Sequence, residues 1–343
     1  MADDDLRSLV HEICGGSEGT RSRNLSRHQA EKAYSALLEG KGTATQVAAI
    51  FVAMRCRGLA GEELAGFAVA ARARVRFPAL PEGAVVISTS RLGKSRHPLV
   101  ALASASAAAS CGVPVLVQAA PHAGGAGVTV GDVWQRLGGE LHADPDRAAD
   151  CLRRLNLGFW QPTAADPGWE RLLAIENEIG LRCAPDTVAK LLAPPGCRLM
   201  VPARGGPVLG LASEALTILG HRNALIVQGV EGSIDPWVSD QTRGLCIDDG
   251  VRTPLRLHPA DLVLECGAEP AQMHEDRLEA SVVATQQALM GVPGAAYHAA
   301  LIGAALIVRL GGLTRDMASA VGAARDVFES GAAHHRLEQL GDC

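Results

Sequence analysis

The hydrophobic pattern of the chain changes near residue 78. Before that point, apolar positions recur with helical spacing, and two capping-box sequences, Ser26–Gln29 and Thr43–Gln46, stand ahead of such runs. After Pro78, short apolar segments rich in β-branched residues alternate with helical stretches. That alternation is typical of a mainly parallel sheet with helices on both faces. The pattern therefore predicts a small N-terminal helical domain and a large α/β domain.

The predicted elements set the domain boundaries. Strands are predicted at residues 85–88, 113–118, 157–161, 198–201, 224–229 and 244–247, and helices at about 99–111, 131–137, 145–155, 168–179, 186–192, 207–219, 271–290 and within 294–331. The helical stretch around 168–192 has no strand directly after it, so we expect it to pack onto the N-terminal helices. We therefore assign residues 1–77, completed by about 166–193, to the helical domain. Residues 78–165 and 194–343 form the predicted α/β domain.

The amino-acid composition supports an α/β fold and indicates the cellular compartment. Hydrophobic residues make up 48% of the chain but aromatic residues only 3%, so the core is expected to consist of Ala, Val, Leu and Ile. The nine cysteines include no C-x-x-C pair, which favours buried thiols in a reducing compartment. No signal-peptide pattern is present, and the longest apolar run, 299–308, is too short to cross a bilayer. We expect a cytoplasmic protein without a membrane partner.

Charge is distributed unevenly along the chain. The net charge is −5, which argues against a strongly basic nucleic-acid binder. Up to Arg96, however, there are 14 Lys and Arg against 10 Asp and Glu, whereas the remainder has 18 against 27. Such asymmetry can concentrate positive potential on one face, and ordinary scatter between two solvated halves explains it equally well.

One segment, Val85–Arg96, combines a buried strand with a basic loop. The loop contains glycine, hydroxyl and cationic side chains, and a helix of small residues follows it after Pro98. A strand, a polar loop and a helix in this order form anion sites in α/β proteins, because backbone N–H groups and the helix N-terminus face the ligand. An ordinary βα turn with solvated bases is the alternative. The predicted anion-binding residues of the loop are Ser88, Thr89, Ser90, Arg91, Gly93, Lys94, Ser95 and Arg96.

Other motifs add little catalytic chemistry. Gly93-Lys94-Ser95 matches the second half of a P-loop, but Ser88 stands where the first glycine is required. Glu231 and Asp235 follow a predicted strand and are candidate Mg²⁺ ligands beside a phosphate, although solvated loop acids are more common. No nucleophile motif and no histidine metal motif is present. We therefore assign no catalytic residue.

The order of these features, together with the stretch from Ile218 to Gly232, resembles the anthranilate phosphoribosyltransferase family within glycosyltransferase family 3. The resemblance runs from about residue 5 to residue 330. It implies a nucleoside-phosphorylase-type fold and a homodimer formed through the helical domain. It also places Arg182 at the position of an arginine of the family's substrate cleft.

The departures from that family concern its phosphoribosyl diphosphate (PRPP) site. Ser88–Leu92 stands where the family has Gly-Thr-Gly-Gly-Asp, and only Thr89 matches. Leu99–Leu102 replaces Asn-Ile-Ser-Thr, Val117–Pro121 replaces Lys-His-Gly-Asn-Arg, and Ile234-Asp235 replaces the Asp-Glu pair that holds Mg²⁺. Each lost charged hydrogen-bond partner costs about 1.5–3 kcal/mol, so ordinary PRPP affinity is not expected.

Two functions follow from this comparison. A divergent branch of the family keeps the fold, carries a basic loop in place of the glycine motif and binds nucleic acid without sequence preference, and this chain resembles it. The first hypothesis is therefore a dimeric, non-enzymatic nucleic-acid binder without a cofactor, using the loop bases and Arg182. The alternative is an active glycosyl or phosphoribosyl transferase with a changed substrate, in which Glu231 and Asp235 hold Mg²⁺. The sequence leaves open whether the protein is an enzyme.

Overall fold

The structure is a computed structural model, and it describes residues 3–15, 23–119, 127–206, 208–273 and 276–341. The chain divides into two compact units. The first contains residues up to 76 together with 162–193 and 210–220, and the second contains residues 77–161, 194–209 and 221–343. This division differs from the predicted one mainly at residues 210–220, which the sequence pattern assigns to the α/β domain.

Helices make up most of the first unit and surround the sheet of the second. The helices of the described residues are α1 Asp3–Cys14, α2 Arg27–Leu38, α3 Ala44–Arg57, α4 Gly61–Arg72, α5 Ala101–Ser110, α6 Val130–Arg136, α7 Pro145–Leu155, α8 Pro167–Ile179, α9 Ala184–Ala189, α10 Val208–Ile218, α11 Arg277–Leu289, α12 Ala295–Leu310, α13 Met317–Glu329 and α14 Ala332–Leu340. Both predicted capping boxes are present, since Ser26 and Thr43 accept from the N–H groups of Gln29 and Gln46, whose side chains accept in return. These reciprocal bonds satisfy N–H groups that a helix leaves open.

The first unit has an aromatic centre. Tyr34 on α2 stacks on Phe67 of α4 with ring centroids 5.0 Å apart, and Trp169 of α8 meets Tyr34 edge-on at 6.0 Å. All three rings are buried. These three aromatic rings therefore lie where helices from distant parts of the sequence meet.

A mixed sheet forms the centre of the second unit. Its strands in the described residues are β1 Val85–Ser88, β2 Val115–Gln118, β3 Leu157–Trp160, β4 Arg198–Pro202, β5 Ala224–Gln228, β6 Thr242–Asp248 and β7 Val251–Leu257. They lie in the order β3-β2-β1-β4-β5-β6-β7. The pairs from β3 to β5 are parallel, and β5–β6 and β6–β7 are antiparallel. The predicted α/β class with a mainly parallel sheet is confirmed.

The prediction missed one strand and shortened another. β6 extends beyond the predicted 244–247, and β7 pairs with it through a turn at Asp249 and Gly250, which both have positive φ. Among the described strands, β7 pairs only with β6, and Arg252 and Arg256 on β7 are exposed. Because an edge strand with charged exposed positions lacks an apolar run, the hydrophobic pattern did not reveal it.

Small residues build the core beside the sheet. The helices α5 and α12 are almost wholly buried and consist mainly of alanine and aliphatic residues. A Cβ on Gly303 would lie 2.4 Å from the Ser104 Oγ, and that hydroxyl donates to the Ala300 carbonyl at 3.1 Å. This contact keeps the two helices close, and α5 in turn fixes the end of the loop that follows β1. No helix among the described residues is long and apolar enough to cross a membrane.

Candidate anion-binding site

The candidate site lies where the strand order of the sheet reverses. From β1 the chain continues to β2 and β3 on one side, whereas β4 and β5 lie on the other side. Loops after the C-terminal ends of parallel strands meet at such a switch point, and ligands of α/β proteins bind there. The loop after β1, residues 89–98, meets the loop after β5, residues 229–241, at this position.

Gly93 shapes the loop after β1 by a backbone contact. Lys94 and Val128 form an antiparallel bridge, with N···O distances of 2.9 and 2.7 Å. Gly93 has φ +61°, and a Cβ there would lie 2.2 Å from the Val128 carbonyl oxygen. Gly93 therefore serves the close passage of two backbone segments, a role that the sequence did not reveal.

Lys94 points into the protein. Its side chain is 3% exposed, and its Nζ donates to the Pro98 carbonyl at 2.8 Å and to the Asp235 Oδ2 at 3.0 Å. Asp235 is also buried, and its Oδ1 has no hydrogen-bond partner among the described residues. The charge predicted for an external anion is thus balanced by an internal carboxylate.

Glu231 occupies the anion position of the loop. The backbone N–H groups of Ser95, Arg96 and His97, here called the amide cradle, all donate to its carboxylate. The N···O distances are 2.9 Å from Ser95, 3.0 and 3.2 Å from Arg96, and 2.7 Å from His97. The Ser95 hydroxyl adds a contact at 3.1 Å, and the His97 Nδ1 lies 3.2 Å from Oε1. Consecutive backbone N–H groups that converge in this way are a typical anion nest.

The electrostatics of Glu231 follow from this geometry. Burial alone would raise its pKa, but the N–H groups of the amide cradle and the positive charge of Lys94 outweigh burial and lower the pKa to about 2. The residue also has a left-handed backbone, with φ 58° and ψ 20°. A side chain in that region is uncommon and costs about 1 kcal/mol, which the contacts of the carboxylate offset.

The remaining loop residues are placed differently from one another. Ser88 is buried and donates to the Gln118 side chain, and the Thr89 hydroxyl donates to the Gln118 carbonyl at 2.7 Å. The Ser90 hydroxyl accepts from the Leu92 N–H at 3.3 Å. Arg91 is buried, whereas Arg96 is exposed. Of the three basic side chains in this loop, only Arg96 is exposed to solvent.

Arg182 lies in the other compact unit, where it contacts a buried acid. Its Nε is 3.3 Å from the Asp186 Oδ2, and the Lys190 Nζ is 2.8 Å from the same oxygen. Burial lowers the pKa of Lys190 despite this carboxylate. Arg182 is therefore already engaged with Asp186 within its own unit.

The residues do not fit the Mg²⁺ ion that the family resemblance implies. Glu231 is held by N–H donors and Asp235 by Lys94, so neither carboxylate presents a free pair of oxygens. Among the described residues, no group of three or more His, Cys, Asp or Glu side chains is arranged to hold a metal ion. The positions of Val117–Ala119 lie in or after β2, and residues 120 and 121 lie outside the described residues.

Two contributors to the site were missed by the sequence analysis. His97 supplies the shortest N–H contact to Glu231, and Gln118 orders the start of the loop through Ser88 and Thr89. Neither carries a local motif. Only the neighbouring positions of β1 and β2 in the sheet bring Gln118 to the loop.

A helical unit and a mainly parallel sheet with an anion nest at its switch point define a protein with the anthranilate phosphoribosyltransferase fold. The chain is similar to the solved structure of that enzyme from Thermus thermophilus, with a TM-score of 0.82, 24% identity and coverage of 99% and 98% of the two chains. The enzyme from Saccharomyces cerevisiae in complex with PRPP and Mg gives a TM-score of 0.80 at 16% identity, with coverage of 99% and 98%.

The chain belongs to glycosyltransferase family 3. The family's helical bundle domain matches residues 9–75, and its a/b domain matches residues 96–334. The anthranilate phosphoribosyltransferase of Methylobacterium radiotolerans is 29% identical over 98% of this chain and 96% of its own length. That of Bradyrhizobium sp. is 27% identical over 98% of each chain. These relatives favour the transferase alternative over the nucleic-acid-binding branch.

Proposed function

We propose that the protein is a glycosyltransferase of family 3 that transfers a ribosyl or another glycosyl group from a donor with at most one phosphate. Similarity to anthranilate phosphoribosyltransferases along nearly the whole chain supports the transferase class. The observation that carries the choice of donor is the Glu231 carboxylate in the amide cradle. A phosphate group placed at the amide cradle would have to displace a carboxylate that three backbone N–H groups already hold.

Charge balance supports the same choice. A diphosphate bound with Mg²⁺ needs free cations and free carboxylates, but Lys94 and Asp235 neutralise each other in a buried pair. Breaking a buried pair leaves an uncompensated charge and costs about 3–5 kcal/mol. A nucleoside or a glycosyl monophosphate can bind without breaking the pair between Lys94 and Asp235. The exposed Arg96 remains at the loop to contact one phosphate.

The test is a comparison of donors. We expect saturable heat in calorimetry with a nucleoside or with ribose 1-phosphate. We also expect release of free base from the nucleoside when inorganic phosphate is added as the acceptor, and release of phosphate from ribose 1-phosphate when a nucleobase is added as the acceptor. We expect no saturable heat with PRPP and Mg²⁺. Arg96→Gln should weaken a monophosphate donor more than a nucleoside, because only the former carries a charge. Mg²⁺-dependent binding of PRPP by the native protein, without binding of the other donors, would overturn the proposal.

Nonspecific nucleic-acid binding is the second candidate, and exposed Arg96 is the observation that favours it. Because Arg91 and Lys94 are buried, the loop offers one cation to a phosphate backbone instead of three. Each phosphate contact adds about 0.9 to the slope of log affinity against log salt for duplex DNA. If this function is correct, fluorescence anisotropy will show DNA binding with a slope that Arg96→Gln reduces by about 1. The homodimer through the helical domain stays a prediction, which sedimentation equilibrium can test.

A further inference from the structure

A polar cavity opens at the ends of the central strands, on the side of the sheet opposite to the amide cradle. Its volume is about 400 Å³. It lies where β4 begins at Arg198 and β5 begins at Ala224, beside the end of antiparallel β6. The end of α12 and the turn at 311–315 close its other side. The amide cradle follows the C-terminal end of β1, so the two sites are at opposite ends of the strands.

Three guanidinium groups share this cavity. Arg198, Arg309 and Arg315 line it. None of them forms an ion pair with any described residue. The Arg198 Nη1 donates to the Leu310 carbonyl at 2.8 Å, and the Arg309 Nη1 lies 3.9 Å from the Cys246 Sγ. By contrast, Arg222 at the same edge is paired with a carboxylate at 2.6 Å. Unpaired guanidinium groups have donors available for a ligand.

The lining of the cavity leaves an excess of positive charge. Asp248 is the one carboxylate among the described lining residues, against three arginines. A concave surface lined by one sign of charge focuses the potential and attracts ions of the opposite sign. The cavity therefore favours an anion, although the chain as a whole carries a net charge of −5.

Two details of the turn after α12 fit a ligand site. Gly312 has φ +80°, and a Cβ there would lie 2.5 Å from the Arg198 Nη1, so any side chain would displace the guanidinium. The Thr314 Oγ1 is buried and has no hydrogen-bond partner among the described residues. Buried hydroxyl groups are nearly always hydrogen-bonded in folded proteins, so this one marks an unsatisfied polar atom beside the cavity.

We propose that this cavity, the Arg198 pocket, binds a small phosphorylated metabolite. The planar guanidinium groups of Arg309 and Arg315 match the geometry of a phosphate group. Small-molecule pockets typically have volumes of about 300–1,000 Å³, so the cavity holds a sugar phosphate or a mononucleotide. The ligand occupies this pocket whether or not the proposed transferase activity is correct.

The test combines calorimetry with hydrogen exchange on the full chain. Inorganic phosphate, ribose 5-phosphate and AMP serve as probes. We expect at least one probe to bind with one-to-one stoichiometry, and its affinity to fall at least tenfold in Arg309→Gln and in Arg315→Gln. Arg153→Gln is the matched control, because it removes the same charge from an exposed side chain, 63% accessible, on α7. This variant should bind as the native protein does.

Hydrogen exchange locates the bound probe independently of the variants. Binding in the Arg198 pocket should slow exchange in peptides that cover 222–225 and 309–315, and leave 94–97 unchanged. Protection at 94–97 alone would assign the ligand to the amide cradle and overturn the proposal. The absence of saturable binding by all three probes, or equal losses in Arg153→Gln, would also overturn it.

Discussion

Replacement of Glu231 by glutamine tests whether the amide cradle holds a charged carboxylate. Glutamine keeps the size of the side chain and an acceptor oxygen but removes the negative charge. The pKa of Glu231 is lowered from 4.5 to about 2, and one pKa unit corresponds to about 1.36 kcal/mol, so the upper limit is about 3 kcal/mol. Since the amide oxygen retains part of the hydrogen bonding, we expect the free energy of unfolding to fall by about 2 kcal/mol at neutral pH.

The pH dependence separates charge from packing. The folded-state pKa is depressed, so the carboxylate contributes its full stability above the unfolded-state pKa near 4.5, and the contribution is lost as pH falls towards 2. Urea unfolding of both proteins at about pH 5.5 and about pH 3.5 measures this. The difference between native protein and Glu231→Gln should be about 1.4 kcal/mol smaller at the lower pH.

Glu279→Gln is the control for this experiment. Glu279 is paired with Arg136 at 3.1 Å, but both side chains are about half exposed. An exposed pair contributes about 0–1 kcal/mol, so this variant should change stability little and independently of pH. If Glu231→Gln behaves like the control, or if its effect is the same at both pH values, the carboxylate does not bind the amide cradle as an anion.

Three further changes test neighbouring contacts. Lys94→Met leaves the Asp235 carboxylate buried without its partner and should lower the free energy of unfolding by about 3–5 kcal/mol in urea titrations. The double variant Lys94→Met with Asp235→Leu should recover most of this lost stability. Gly93→Ala combines a positive φ with a Cβ 2.2 Å from the Val128 carbonyl, and should cost at least about 1 kcal/mol in thermal unfolding. Glu231→Ala removes the carboxylate from the amide cradle and should tighten pyrophosphate binding about 30-fold by calorimetry, which corresponds to about 2 kcal/mol. Unchanged affinity would show that the Glu231 carboxylate does not compete with an external anion for the amide cradle.

Most elements of the fold could be predicted from local sequence signals. Capping boxes at Ser26 and Thr43, β-branched runs such as Val85–Ser88 and the alternation of strands and helices each predict one element from neighbouring residues, and the structure contains those elements. β7 was missed because Pro254 and two exposed arginines interrupt its apolar pattern. The Asp249-Gly250 pair is a hairpin signal, and its positive φ values show that it acts as one.

The sequence predicts an anion site in the loop after β1 but does not predict the contacts of that loop. In the structure, backbone N–H groups of the loop converge on the Glu231 carboxylate. The partners of that loop, however, are 136 and 141 positions away, as in the contacts of Glu231 with Ser95 and of Asp235 with Lys94. Those contacts depend on β4 lying between β1 and β5 in the sheet, and no local pattern specifies that order.

The charges of this protein are therefore used differently from what their position in the sequence suggests. The basic loop after β1 looks like a ligand site, but an internal carboxylate fills its amide cradle and another neutralises Lys94, so only Arg96 presents charge to solvent. Three arginines spread over more than a hundred positions form no motif, yet the fold collects Arg198, Arg309 and Arg315 around one cavity without balancing them. Ion pairs neutralise most of the positive charge of the loop after β1. The order of the strands and helices brings three distant arginines together in the Arg198 pocket, so this pocket has the greater unbalanced positive charge.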